Sequence, residues 1–220
     1  LGDVYKRQVQ HREAGEFKKD KLKVLAELTK LRQICCDPAL CFEDYAGESA
    51  KLETCVSLIA SASAAGHKIL LFSQFASMLE RIQERLLQEG ISSHLLVGAT
   101  PKEERSRMVQ AFASDEVPVF LISLKAGGTG LNLTAADIVI HYDPWWNVAA
   151  QNQATDRAYR IGQEKPVTVY KLILKDTIEE NLLKLQNAKL ALAAQVVSEG
   201  MVSLGDLSQN ELMELFEQNP

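Results

Sequence analysis

The sequence predicts an α/β domain built on a parallel sheet with helices on both faces. Three observations predict it. Five short apolar runs recur between residues 68 and 173, most of them separated by helical patterns. The runs are continuous rather than alternating, as expected of strands buried on both faces. Small polar residues and glycines follow several of them at once, and the carboxyl ends of parallel strands are where such sheets bind ligands.

In chain order, residues 16–36 read as an amphipathic helix, with Leu22, Leu25, Leu28, Leu31 and Ile34 at helical spacing. Asp37-Pro38 stops it. A polar connector over 39–50 precedes a second helix at 51–65, carrying Leu52, Val56, Leu58 and Ile59. The first apolar run is 68–72, ending in Ser73-Gln74 and followed by a helix over 75–89. The second is 94–97, followed by Gly98, Thr100 and a helix from Pro101 to Phe112. The third, 118–122, leads into Ser123-Leu-Lys-Ala-Gly-Gly-Thr-Gly-Leu-Asn132. The fourth, 137–142, precedes a helix expected over 148–160, and the fifth is 167–173. A long helix is predicted over 176–197, opened by Asp176 or Thr177 with Glu179 and Glu180 in its first turn. Ser208 and Glu211 form a capping-box pattern for an acidic helix over 204–216.

A chain of 220 residues with 46% hydrophobic content can bury a sizeable core. The net charge of −5 is unevenly placed, because Glu199, Asp206, Glu211, Glu214 and Glu217 lie beyond Lys189, the last basic residue. The body is neutral, so a globally basic nucleic-acid binder is excluded while a local basic groove is not. No apolar run approaches the roughly 20 residues of a membrane span. Cys35, Cys36, Cys41 and Cys55 lack the paired spacing of a zinc site, and no metal site is expected. They read as reduced thiols of a cytoplasmic protein. The chain opens on Leu1, which suggests a fragment, and residues 1–8, LGDVYKRQ, resemble a translated sequencing-adaptor remnant.

Gln153, Arg157 and Arg160 stand at i, i+4 and i+7. On a continuous helix they fall within about 60° of one another. One amide and two guanidiniums on a stripe suit a polyanion such as a triphosphate. Gly162 is the expected helix end. The same stripe is also explicable as a solvated face with an Asp156–Arg160 pair. Hydroxyl, amide and glycine residues at three strand ends suit a phosphodiester backbone, although ordinary turns use the same residues. The glycine stretch 127–130 is not a phosphate-binding loop: the G-x-x-x-x-G-K-[ST] spacing occurs nowhere in the chain.

The stretches KILLFSQF (68–75), HLLVGAT (94–100), SLKAGGTGLNLTAAD (123–137), HYDPWWN (141–147) and QATDRAYRIGQ (153–163) resemble the second RecA-like lobe of helicase superfamily two. In detail they are similar to the Swi/Snf double-stranded-DNA translocases, particularly the bacterial ones. VTVYKLILKDTIEENLLKLQNAK (167–189), KLRQICCDPAL (30–40) and SAKLE (49–53) continue the resemblance. It implies a RecA-like helicase C-terminal lobe over 67–175. Helical connector 9–66 would lead from a first lobe, 176–200 would be a brace helix, and 201–220 an acidic C-terminal helix.

The resemblance also implies roles. Arg157 and Arg160 would reach ATP, with its Mg2+, held mainly by the first lobe, and Gln153 would stand near the terminal phosphate. Gly130 and Asn132 would belong to the nucleotide-sensing loop. Ser73, Gln74, Thr100, Lys125, Ala126 and Gly127 would lie along DNA. Trp146 matches a Trp-Asn pair for which packing stands beside DNA contact. Tyr159 and Val148 depart from the histidine and proline of many relatives. Implied partners are double-stranded DNA, the first lobe in cis and a protein at the acidic tail, with no membrane and with nucleoid association. The fragment alone is expected to lack ATPase activity. An RNA helicase lobe and a non-catalytic interaction module remain the alternatives.

Overall fold

A computed structural model describes the backbone of residues 14–124, 126, 131–160, 162–163 and 165–195, and side chains between 23 and 188 within these. The expected acidic helix at 204–216 lies outside the described residues. Helix α1 spans Ala14–Cys36. Asp37 ends it by capping a short 3-10 turn, Pro38–Leu40, where its Oδ1 accepts from the Ala39 amide at 2.9 Å. Helix α2, Ala50–Ala64, is N-capped by Ser49. The Ser49 hydroxyl also donates to the Cys36 carbonyl at 3.2 Å, tying the ends of α1 and α2 together.

Strand β1 (Ile69–Ser73), helix α3 (Ala76–Gln88), strand β2 (Ser93–Leu96), helix α4 (Lys102–Ser114) and strands β3 (Val119–Ser123) and β4 (Ile138–His141) follow. Helix α5 (Val148–Thr155), strand β5 (Thr168–Lys171) and helix α6 (Ile178–Gln195) complete the order. Gly90 adopts a φ of 74° just beyond α3, a left-handed turn that a side chain would strain.

The five strands form one parallel sheet in the order β2-β3-β1-β4-β5. Alternate residues face opposite cores. Ile69, Leu71, Val119, Leu121, Ile138 and Ile140 pack against α2 and α3. Leu70, Phe72, Phe120, Ile122 and Val139 pack against Phe112 of α4 and Ala154 of α5. Each fully buried aliphatic side chain contributes on the order of 1.5–3 kcal/mol. The central strands thus have the two covered faces that their unbroken apolar sequence predicts. β5 differs: all four of its residues are exposed, so its apolar run makes an edge strand open on both faces among the described residues. The sequence assigns α2 to the connector; its Leu52, Cys55, Val56, Ile59 and Ala62 lie in the same core as the sheet.

The chain leaves β1 into α3 on one face and β4 into α5 on the other. These neighbouring strands therefore diverge at their carboxyl ends and open a crevice.

Candidate functional site

The crevice between β1 and β4 is filled from within the chain. Asp143, 1% exposed, accepts at Oδ1 from the Ser73 hydroxyl at 2.5 Å and from the Gln74 amide N–H at 3.2 Å. At Oδ2 it accepts from the Gln74 side-chain amide at 2.9 Å and from Arg32 at 3.4 Å. Arg32, at the end of α1 and 3% exposed, also donates to Gln74 Oε1 at 3.3 Å and to the Pro144 carbonyl at 2.6 Å. Because a guanidinium can only donate, the Gln74 amide must turn its oxygen to Arg32 and its nitrogen to Asp143 and Pro144.

Two of the residues expected along DNA, Ser73 and Gln74, thus have internal partners. Ser73 is completely buried, and its hydroxyl both donates to Asp143 and accepts from the Phe75 amide. The donors of Gln74 are likewise taken by Asp143 and Pro144. A buried carboxylate demands such donors, so the side chains of both residues are engaged inside the crevice.

At the ends of β2 and β3 the organiser is Arg105 of α4. Its guanidinium donates to the carbonyls of Thr100 at 2.9 Å, Gly98 at 3.0 Å and Ala126 at 3.3 Å. One side chain therefore joins the loops after two neighbouring strands. The Thr100 hydroxyl accepts from the Val97 amide at 3.1 Å and remains half-buried. Ala126 is buried, with its amide on the Ser123 hydroxyl, so only its backbone is in question as a contact. Lys125, Gly127 and Gly130 lie outside the described residues. Asn132 is exposed.

The expected helix over 148–160 is shorter. α5 ends at Thr155, and residues 156–160 form turns and bends. The Arg157 and Ala158 amides donate only three residues back, to Ala154 and Thr155. The Arg157 carbonyl instead accepts from the Leu133 amide at 3.2 Å, a tertiary bond that a continuing helix would forgo. Gly162, with φ of 105°, closes the turn and not the helix. Gln153, Arg157 and Arg160 thus share no helical stripe. Gln153 and Arg160 are exposed, whereas Arg157 is 2% exposed. Among the described residues no ion pair joins Asp156 to Arg160.

Arg157 Nε and Nη1 are buried and have no hydrogen-bond partner among the described residues. Burial first, and then the charge of Arg160, holds its pKa below the ordinary arginine value. Unpaired guanidinium donors beside a second arginine make a site that favours an anion. The turn is held in place by Gln163, whose amide donates to the carbonyls of Thr134 at 3.1 Å, Ala136 at 2.7 Å and Ala158 at 3.3 Å. The hydroxyl of Tyr159, at the position where the resemblance departs, donates to the Val167 carbonyl at 3.0 Å.

Trp146 takes the packing role. Its ring lies against Val24 and Leu28 of α1 and Leu182 of α6, and its indole Nε1 is buried. Of the two roles expected for it, packing is the one whose partners lie among the described residues, in the hydrophobic seam between two helices. Among the described residues, no group of three or more His, Cys, Asp or Glu is placed to hold a metal ion.

Sequence reasoning missed Arg32, Asp143 and Gln163 as individuals, and gave Arg105 no role. All four lie within or beside the recognised stretches. The available signal was a charged residue in an apolar setting: Arg32 between Leu31 and Ile34, and Asp143 directly after the fourth apolar run.

A parallel sheet in this order, with its polar strand ends and arginine-bearing turn, defines a RecA-like helicase lobe. The same fold occurs in the Sulfolobus solfataricus SWI2/SNF2 ATPase C-terminal domain, at a TM-score of 0.72 and 33% identity, over 92% of this chain and 84% of that one. The helicase conserved C-terminal domain family matches residues 50–162. The chain therefore belongs to that family, on its Swi/Snf branch. YwqA of Bacillus subtilis, which carries the name of an ATP-dependent helicase/translocase, is 44% identical over 202 residues, covering 88% of this chain and 22% of that protein. The Sulfolobus solfataricus SWI2/SNF2 ATPase core in complex with double-stranded DNA aligns with 100% of this chain and 48% of its own, at a TM-score of 0.72 and 32% identity. The chain spans about a fifth of the length of the curated relatives it matches.

Proposed function

We propose that this chain is the C-terminal motor lobe of an ATP-dependent double-stranded-DNA translocase. The observation that carries the reading is the buried face of Arg157, without a partner among the described residues, beside exposed Arg160. The chain has no phosphate-binding loop of its own. A first lobe would hold ATP with its Mg2+, and ATP would supply the phosphoanhydride whose hydrolysis drives the cycle. Arg157 and Arg160 would reach across the cleft and stabilise charge on the transferring phosphoryl group; arginine fingers contribute ~10³–10⁵ in rate. Gln153, exposed on α5, would face the terminal phosphate, and the loop bearing Gly130 and Asn132 would complete the cleft.

Thr100, Lys125 and the backbone at Ala126 and Gly127 would meet the DNA phosphates, with Arg105 holding their loops. Such contacts position the duplex without reading sequence. In this reading α1 is the connector from the first lobe, residues 67–175 with α2 form the lobe, and 176–200 form the brace. The whole protein would act on the nucleoid, and its acidic tail would meet a protein partner. Support for the DNA reading comes from the DNA-bound Sulfolobus relative.

The test is ATP turnover. The chain alone is expected to show none, and the two-lobe protein is expected to hydrolyse ATP faster with duplex DNA than with RNA. Arg160→Ala should lower that rate by roughly 10³ while ATP still binds. DNA-stimulated turnover by the chain alone, or full activity in Arg160→Ala, would overturn the proposal.

A further inference from the structure

We infer that Arg32 is a positioning residue for the ATP-facing arginines: from α1 it fills the crevice between β1 and β4 and fixes the 143–147 loop that launches α5 and the Arg157–Arg160 turn. The inference rests on the function proposed above.

The loop between β4 and α5 is held by groups outside the sheet. Arg32 donates to the Pro144 carbonyl at 2.6 Å and to Asp143 at 3.4 Å. Gln186 of α6 donates to the next carbonyl, that of Trp145. The Trp145 amide donates to Gln151 Oε1 at 3.1 Å, inside α5, and Asn147 caps α5 by accepting from the Ala150 amide at 3.0 Å. Two consecutive loop carbonyls are thus taken by side chains from α1 and α6, and the loop passes their placement to the helix that ends at Thr155.

Arg32 is not a surface charge that happens to reach inward. It is 3% exposed, its guanidinium lies 5.6 Å from the Phe75 ring centroid and 5.9 Å from that of Trp146, and its Nε is buried without a partner among the described residues. An apolar side chain would fill the space without stranding a donor. What the guanidinium adds is directed hydrogen bonding to Gln74, Asp143 and Pro144 at once, a span that a lysine ammonium cannot reproduce. Displacing reactive groups by about 1 Å costs up to 10²-fold in rate, so a loosened loop should show at the arginines.

The experiment uses the full-length two-lobe protein and compares binding of ADP alone with ADP plus aluminium fluoride, which mimics the transferring phosphoryl group. Affinities are insensitive to the fraction of active molecules, so a simple folding defect does not move them. Arg32→Lys should weaken the aluminium fluoride complex by roughly tenfold or more and leave ADP affinity unchanged. Amide hydrogen exchange should quicken over 148–160 and stay unchanged over β3. If Arg32→Lys does not fold, R32Q combined with D143N, which leaves no lone buried charge, is read in the same way. A variant that binds the aluminium fluoride complex as tightly as the parent, while Arg160→Ala does not, would overturn the inference and leave the proposed function standing. If Arg160→Ala also binds it normally, the proposed function fails instead.

Discussion

Lys51 Nζ lies 2.6 Å from each carboxylate oxygen of Glu179. Both side chains are buried, and the pair joins α2 to the first turn of α6 across 128 residues of sequence. Glu179 also accepts from the Leu174 amide at 2.9 Å, and the Lys51 ammonium lies 5.3 Å from the ring centroid of Tyr142. The start of α6 is therefore tied to α2 by a buried charge pair.

Removing one partner of such a pair leaves an uncompensated buried charge, which costs on the order of 3–5 kcal/mol. Glu179→Leu or Lys51→Met alone should lower the unfolding free energy by that amount. Lys51→Met combined with Glu179→Leu should recover most of it, because the desolvation penalty goes with the charges. Denaturant unfolding of the three variants measures the coupling; additive single losses would show that the pair does not interact.

His141 gives a pH prediction. Burial first, and then the charge of Lys171, pushes its pKa down from 6.5 to about 4. Its Nε2 lies 2.9 Å from Thr155 Oγ1, whose own hydrogen goes to the Gln151 carbonyl, so the neutral ring carries its proton on Nε2. Above pH 6.5 both folded and unfolded forms are neutral there. Between pH 6.5 and about 4 only the unfolded chain takes up the proton, so stability falls as pH falls. The loss reaches roughly 3 kcal/mol at the lower end. His141→Gln should flatten this part of the stability curve, and an unchanged slope between the two proteins would refute the assignment.

Arg105→Ala should release the carbonyls of Gly98, Thr100 and Ala126 together. Hydrogen bonds to a charged donor contribute about 1.5–3 kcal/mol, so a stability loss of that order is expected. Duplex-DNA affinity should fall as well, with faster hydrogen exchange over 97–101. Unchanged exchange there would mean that the loops hold themselves.

Gln163→Ala should free the turn carrying the arginines while leaving Arg157 and Arg160 in the sequence. In the two-lobe protein, ATP turnover is expected to drop roughly 10- to 100-fold, with ATP binding retained. Wild-type turnover would exclude Gln163 as a support for that turn.

Much of this was legible in the sequence. The five apolar runs appear as β1 to β5, each within a residue or two at most boundaries; for β1, β3 and β4 the reason is that a strand buried on both faces needs unbroken apolar sequence. Asp37-Pro38 ends α1 where local turn chemistry demands. The candidate site was legible as a set of residue types at strand ends. Its wiring was not. Ser73 and Gln74 look like free donors until Asp143, some 70 residues away in sequence, is brought beside them. Trp146 reads equally as a packing residue or a DNA contact until α1 and α6 bring Val24, Leu28 and Leu182 to it.

The sequence by itself determined the sheet, its helical cover and the family, because hydrophobic periodicity and local motifs act over a few residues. Only the tertiary structure decided where α5 stops, that Arg157 is buried while Gln153 and Arg160 stay exposed, and that Arg32 plugs the crevice. Each of these depends on a partner distant in sequence: Leu133 for the end of the helix, Asp143 and Pro144 for Arg32. A buried polar group must find its partner wherever the fold brings one, and that choice leaves no periodic trace in the chain.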